Sequence, residues 1–192
     1  MTAKKRRFTK QDWLEFGLKT ISEHGSEAVK LANICNLAGL TRGSFYHHFS
    51  THDLFLTEVA ELWLTWQTGD IISEVSQLSI DTKSDTENRE ERLTNLALQI
   101  DYSLELGIRE LSRKSEAVRQ VVRRADHSRV EFLKELYIEK YNLDEATARK
   151  HAVLEYAAFN GAILLHENIN REEQRELSDL FSQMTCNFLK MS

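Results

Sequence analysis

The sequence has 192 residues, with 41% hydrophobic residues, 29% charged residues and a net charge of −5, a composition typical of a folded globular chain. It has seven glycines and no proline, where an average chain of this length has roughly ten prolines, so long helices are favoured. No stretch approaches the length of a membrane span, and two cysteines provide neither a disulfide framework nor a zinc spacing. We therefore expect a protein of the reducing cytoplasm that does not span a membrane.

The charge is distributed unevenly along the chain. The first 52 residues carry eight lysines and arginines against four acidic residues, a net charge of +4, which leaves −9 for the rest. Because phosphate binding draws on lysine and arginine, this asymmetry predicts a nucleic-acid-facing N-terminal segment joined to an acidic body. The basic run from Lys4 to Arg7 has two interpretations: an arm that follows the minor groove or the DNA backbone, or a solvated tail.

The spacing of apolar residues predicts an all-α chain. Helix starts are marked by a side-chain cap and a carboxylate three residues later, at Thr9/Asp12, Ser50/Asp53, Asn88/Glu91, Asn142/Glu145 and Asn170/Glu173. The predicted helices span 10–24, 31–38, 41–48, 52–76, 89–106, 115–140, 143–167 and 171–190, with a short helical turn at 108–113. Gly25 and Gly107 are the predicted C-caps, and the polar stretch 79–87 is the one predicted long loop.

Residues 31–48 have the pattern of a helix-turn-helix. Gly39 is expected to take the left-handed conformation of a tight turn, and Thr41 to cap the second helix. Four apolar positions are spaced to hold the two helices together: Ile34, Leu37, Leu40 and Phe45. The second helix then presents Arg42, Ser44, Tyr46, His47 and His48, a polar set that suits a DNA major groove. An ordinary helical hairpin with a solvated polar face is the alternative.

The segment from Gly25 to Leu56 resembles the DNA-binding domain of the TetR family of bacterial transcriptional regulators. The resemblance rests on Ala38-Gly39-Leu40-Thr41-Arg42-Gly43-Ser44-Phe45-Tyr46-His47-His48-Phe49, followed by Asp53 and Phe55-Leu56. It implies a three-helix helix-turn-helix domain over 1–52 and a larger helical ligand-binding and dimerisation domain over 53–192. It also implies that Arg42, Gly43 and His47 face the groove, beside the cap Thr41, and that Ser44, Tyr46 and His48 contact the backbone.

Two positions depart from the family pattern. Lys30 stands where a threonine cap is common, and His52 stands where a phosphate-binding lysine is usual. Lysine cannot accept a capping hydrogen bond, but Lys30 is a candidate phosphate contact. Histidine is mostly neutral at pH 7, so a phosphate contact by His52 would make DNA affinity rise as the pH falls toward 6.

The body has a candidate effector pocket and a candidate dimer interface. Large rings at helical spacing suggest a pocket for an apolar, planar or cationic molecule, at Trp63, Trp66, Tyr102, Phe132, Tyr156, Phe159 and Asn160. Core packing is the alternative role for each of them. The two last helices carry apolar or small-residue faces that would pair with a second copy in a four-helix interface, or would complete the monomer core.

We find no catalytic constellation, no metal-ligand set and no cofactor motif in the sequence. His48 and His52 have ligand spacing but straddle a predicted helix break. We expect a homodimeric DNA-binding regulator, a repressor released from a palindromic double-stranded DNA operator by an unknown small-molecule effector. An activator of the same family and a helical protein-interaction adaptor are the alternatives.

Overall fold

A computed structural model describes residues 8–80, 82–165 and 170–191, and over these ranges the regular elements are helices, without a strand. The basic run Lys4–Arg7 lies outside the described residues. The α-helices are α1 Lys10–His24, α2 Leu31–Ala38, α3 Arg42–Tyr46, α4 His52–Leu64, α5 Asp70–Ser76, α6 Lys83–Ala97, α7 Tyr102–Lys114, α8 Glu116–Tyr141, α9 Glu145–Leu165 and α10 Arg171–Met191. None of the described helices is long and apolar enough to cross a membrane.

The chain forms two compact units. The first combines the chain up to Thr65 with Asp101–Arg123, and the second combines Trp66–Ile100 with the chain from Arg124 onward. The first unit is larger than the predicted domain 1–52, because α4 and α7 pack on α1. The functional division after His52 stays a prediction.

An aromatic core holds the first unit together. The fully buried rings are Trp13 of α1, Phe45 of α3, Phe55 of α4, and Phe49 between α3 and α4. Their centroids lie 5.1–5.3 Å apart in contacting pairs. Aromatic pairs at such separations add to the free energy gained by burial. The core therefore joins α1, α3 and α4 at a single place.

Helix α7 packs closely against α1 at a glycine. Gly107 is buried, and a Cβ atom at this position would lie 2.3 Å from Cγ2 of Ile21. Polar contacts flank this approach: Ser22 donates to Asp101, and Ser26 donates to Glu110 at 2.5 Å. The Gly107 position thus fixes how near α7 can come to α1.

The prediction of a helix over 89–106 with Gly107 as its C-cap was wrong. Helix α6 begins earlier, because Thr82 and Asp85 form a complete capping box, so the predicted loop 79–87 is partly helical. The chain then turns after Ala97, and Asp101 accepts a hydrogen bond from the Leu104 amide at 2.9 Å to start α7. Gly107 lies inside α7, where close packing on α1 explains the glycine.

The other predicted caps have mixed outcomes. Thr9 and Asp12 form a capping box, and the Asn170 side chain accepts from the amides of Glu172 and Glu173. The cap of α4 is Thr51 rather than Ser50. At α9 the side chain that accepts the amide hydrogen bond is Asp144 rather than Asn142, because Asn142 has a positive φ of 52°.

The helix predicted over 52–76 is divided into three consecutive pieces. A π-helical turn, Thr65–Gly69, separates α4 from α5. In the second unit, Arg129 of α8 donates to the Thr68 hydroxyl at 2.9 Å and to the Gln67 carbonyl at 3.2 Å. The Arg129 side chain therefore satisfies two polar groups of the widened turn.

Replacing Gly107 by alanine should destabilise the protein. The added Cβ would overlap Ile21, and overpacking of this kind costs about 1–3 kcal/mol, in spite of the better helix propensity of alanine. Urea unfolding followed by circular dichroism measures the loss of unfolding free energy. Ser103→Ala, at an exposed position of the same helix, is the matched control, and an equal stability of both variants would contradict the packing described here.

Candidate nucleic-acid interface

The turn between α2 and α3 is built as the sequence predicts. Gly39 has a φ of 64° in the left-handed region, where glycine carries no steric penalty. The Leu40 amide donates to the Cys35 carbonyl at 3.0 Å, and Thr41 accepts from the Ser44 amide at 3.1 Å. These bonds end α2 and begin α3 within three residues, which produces a helix-turn-helix.

The second helix is shorter than predicted and depends on one anchor. Helix α3 ends at Tyr46 rather than at His48, and of its five residues Phe45 alone is fully buried. The Phe45 ring lies 5.3 Å from Trp13 and 5.2 Å from Phe55. The side chains on the other sides of α3 are therefore held in place by contacts made through Phe45.

The polar residues predicted to face DNA are mostly exposed. Thr41, Arg42, Gly43, Tyr46 and His47 are exposed, and the side chain of Ser44 is partly buried. These groups offer a guanidinium, hydroxyls and an imidazole, which are the groups that contact base edges and phosphates. Their roles in DNA binding stay predictions.

Leu37 does not hold α2 to α3 as predicted, because half of its surface is exposed. The buried residues of α2 are Ile34 and Cys35, so the centre of the buried face of this helix lies between these two positions. At 100° per residue, Leu37 lies more than a quarter turn from that centre. Leu40, which is partly buried, and Phe45 keep their predicted packing role.

Two histidines assigned to the DNA backbone are hydrogen-bonded within the protein. The Nε2 atom of His48 lies 3.1 Å from the Phe8 carbonyl, and that of His52 lies 2.7 Å from the Val29 carbonyl. Both side chains are partly buried. His52 thus ties the start of α4 to the segment before α2, and its predicted phosphate contact stays a prediction.

Among the described residues no group of histidine, cysteine and acidic side chains could hold a metal ion.

Lys30 lies beside a carboxylate. It begins α2 without a side-chain cap, as expected for lysine, and its ammonium group pairs with Glu27. Glu27 also pairs with Lys114 of α7 at 2.7 Å. Hydrogen bonds from Lys114 and Lys30 lower the pKa of Glu27 to about 2, so Glu27 is ionised wherever DNA binding would be measured.

The predicted pocket residues are divided between the two units, and their role in effector binding stays a prediction. Trp63 and Tyr102 belong to the first unit, and the other five belong to the second. Trp63 is fully buried, Trp66 is 45% exposed, and Phe132 lies in a core cluster with Val75 and Leu136. These environments are those of core or surface side chains.

Tyr156 and Asn160 do lie together. The Tyr156 hydroxyl donates to Asp126 at 2.6 Å and accepts from Arg129 at 3.1 Å, and the Asn160 amide donates to the Tyr156 carbonyl at 2.8 Å. Phe159 is partly buried on the same helix. A polar cavity in the second unit, lined by α6, α8, α9 and α10, includes none of the seven predicted residues.

Comparisons with known proteins support the assignment of the N-terminal region. Residues 14–59 match the family model described as bacterial regulatory proteins, tetR family. A search of curated proteins finds no match.

Solved structures with the same fold cover nearly the whole chain. A transcriptional regulator from Rhodococcus sp. Rha1 has a TM-score of 0.75 at 15% identity, over 92% of this chain and 95% of its own. A transcriptional regulator from Saccharomonospora viridis in complex with choline has a TM-score of 0.74 at 16% identity, over 90% and 95%. A TetR transcriptional regulator from Legionella pneumophila has a TM-score of 0.73 at 14% identity, over 96% and 98%.

The helix-turn-helix geometry, the match over residues 14–59 and the helical fold of the remaining chain agree. Residues 14–59 are those of the tetR family of bacterial regulatory proteins, and the chain as a whole has the fold of the solved transcriptional regulators.

Proposed function

We propose that the protein is a homodimeric repressor that binds a palindromic DNA operator and releases it when a small-molecule effector binds. The observation that carries the proposal is the exposed polar surface of α3 and its C-cap His47, where Arg42, Tyr46 and His47 are exposed around the buried Phe45. A short helix with polar groups outside and one apolar anchor inside suits insertion into a major groove. An activator that uses the same DNA-binding surface would differ from a repressor only in the position of its operator.

Replacing Arg42 by alanine should weaken operator binding. A bidentate arginine–guanine pair contributes about 1–3 kcal/mol of discrimination, so binding to a selected operator should weaken more than binding to random DNA. His47→Ala should also weaken binding, and fluorescence anisotropy with labelled duplexes measures both effects.

The matched control is Lys19→Ala, which removes an exposed cation of α1 that pairs with Glu23 outside the helix-turn-helix. Its affinity for the operator should stay at the wild-type value. Equal losses for Lys19→Ala and Arg42→Ala would show a general effect of charge and would contradict direct readout by Arg42.

Dimerisation is supported by the apolar surface of α10. Leu177, Leu180, Met184 and Phe188 are 43–63% exposed and lie on one face at helical spacing. On α9, Leu154 is 61% exposed and Leu164 is 66% exposed. Large exposed apolar patches mark interaction surfaces, and two half-sites read by two copies supply the affinity that one short helix lacks.

Leu180→Arg should break the dimer, because it would place a charge in the apolar face. Sedimentation equilibrium at micromolar concentration measures the change from dimer to monomer. Asp179→Arg introduces the same side chain at the next, exposed position, which points away from that face, and should remain dimeric. A monomeric wild-type protein would contradict the proposed interface.

The basic run Lys4–Arg7 is proposed to contact DNA phosphates. The Phe8 carbonyl lies 3.1 Å from Nε2 of His48, so the described chain begins beside the residues that follow α3. Four extended residues reach at most about 14 Å, which keeps these four cations near any DNA bound by α3.

Deleting residues 2–7 should lower operator affinity and reduce its salt dependence. Each lost phosphate contact reduces the slope of log K against log salt concentration by about 0.9. Binding isotherms measured at salt concentrations from about 50 to about 300 mM give the slope of log K against log salt concentration. A solvated tail would leave affinity and slope unchanged, and a loss of affinity at an unchanged slope would contradict phosphate contacts.

Control by a small molecule requires an effector that binds two states of the protein unequally. One protein of the same fold was solved in complex with choline, which supports a small organic effector for this chain as well. The second unit, which is helical and contains a polar cavity, is the proposed place for it.

A further inference from the structure

A small cavity lies inside the second unit between four helices. Its volume is about 40 Å³, and its walls come from α6, α8, α9 and α10. By the same measure one water molecule needs about 10–15 Å³, so the cavity has room for about three non-hydrogen atoms. A ligand that fits without rearrangement is therefore very small, or enters with only its head group.

One lysine, Lys140, lines this cavity. Lys140 of α8 pairs with Glu90 of α6, and its Nζ atom lies 5.0 Å from the centroid of the Tyr141 ring. A carboxylate and an aromatic face together form a favourable environment for an ammonium ion. The Lys140 head group shows that carboxylate and aromatic groups at this cavity can contact a primary ammonium.

A second carboxylate of the cavity has a hydroxyl partner instead of a cation. Glu155 of α9 accepts a hydrogen bond from the Tyr137 hydroxyl at 2.7 Å, and among the described residues it forms no ion pair. The hydroxyl-bearing residues Ser182 and Thr185 line the cavity from α10. Two carboxylates thus share one cavity with a single ammonium group.

The electrostatics of the cavity follow from this imbalance. Burial raises the pKa of Glu155, and the nearby charge of Glu90 raises it further, whereas the Tyr137 hydrogen bond and the charge of Lys140 lower it. Burial also raises the pKa of Glu90. A carboxylate that is costly to ionise inside a protein is stabilised by a cation that arrives with the right geometry.

We propose that the cavity binds a small protonated primary amine, whose ammonium group donates to Glu155 and to the hydroxyl groups of Ser182 and Thr185. A primary ammonium has three donors, and these three side chains can accept them. Leu133 and Leu136 provide apolar contacts for a short alkyl tail. The inference rests on the proposed function in one respect, because it identifies the effector of that function as a primary amine.

The test uses the full chain and ethylammonium chloride, which has three non-hydrogen atoms. Titration at pH 7 and constant ionic strength, followed by ligand-observed NMR, should give a dissociation constant in the millimolar range, as expected for so few atoms. Ethanol, a neutral molecule of the same size, should bind at least 10-fold more weakly. Tetramethylammonium, which lacks N–H donors and is larger, should not bind measurably.

Glu155→Gln should weaken ethylammonium binding at least 10-fold, because the amide removes the negative charge and keeps the shape. Glu172→Gln, at an exposed position of α10, should bind like the wild type. Thr185→Val keeps both carboxylates and should weaken binding several-fold, and thermal unfolding shows whether each variant is folded. Equal binding of ethanol and ethylammonium by the wild type would overturn the proposal without any variant.

Operator binding is measured separately, with and without ethylammonium. A protein that binds no DNA refutes the proposed function and leaves the amine titration intact. A protein that binds its operator and discriminates no amine from ethanol refutes only the cavity proposal.

Discussion

The surface that we propose to read DNA depends on the burial of a single ring, that of Phe45. A helix of five residues is far too short to be stable by itself, so α3 exists because its one buried side chain packs against the rings of Trp13, Phe49 and Phe55. The left-handed turn at Gly39 and the cap at Thr41 set the direction of α3. The exposed groups on this helix take their positions from these contacts.

The same packing unit includes α7, which the sequence alone does not place there. Gly107 allows α7 to approach Ile21 of α1, and Lys114 near the end of α7 shares the carboxylate of Glu27 with Lys30. A displacement of α7 would therefore change the charge environment of Lys30, a candidate phosphate contact, without passing through α3. Exposed ion pairs contribute little to stability, so such a contact can exchange partners at low energetic cost.

Local signals predicted the elements well, and long-range packing explains the errors. The caps of α1 and α10 and the turn at Gly39 each depend on a few neighbouring residues, and these were found. The start of α6 had an equally local signal in Thr82 and Asp85. Gly107, in contrast, is a residue type typical of helix ends, but here a glycine is needed because any side chain would overlap Ile21, 86 positions earlier in the sequence. The predicted pocket stays a prediction, because aromatic side chains at helical spacing do not reveal which helices face one another.

The acidic character of the body has an origin beyond avoiding DNA. Most of its carboxylates whose contacts are described lie beside cations, as Glu74 does with Arg92 and Glu131 with Lys134 and Arg149. Glu155 differs, because it faces a cavity and has a tyrosine hydroxyl as its hydrogen-bond partner. A buried carboxylate without a cation costs stability, and an apolar side chain of similar size would often be more stable there. A buried group that costs stability is expected at a functional site, which agrees with the proposed role of Glu155 in binding a cation.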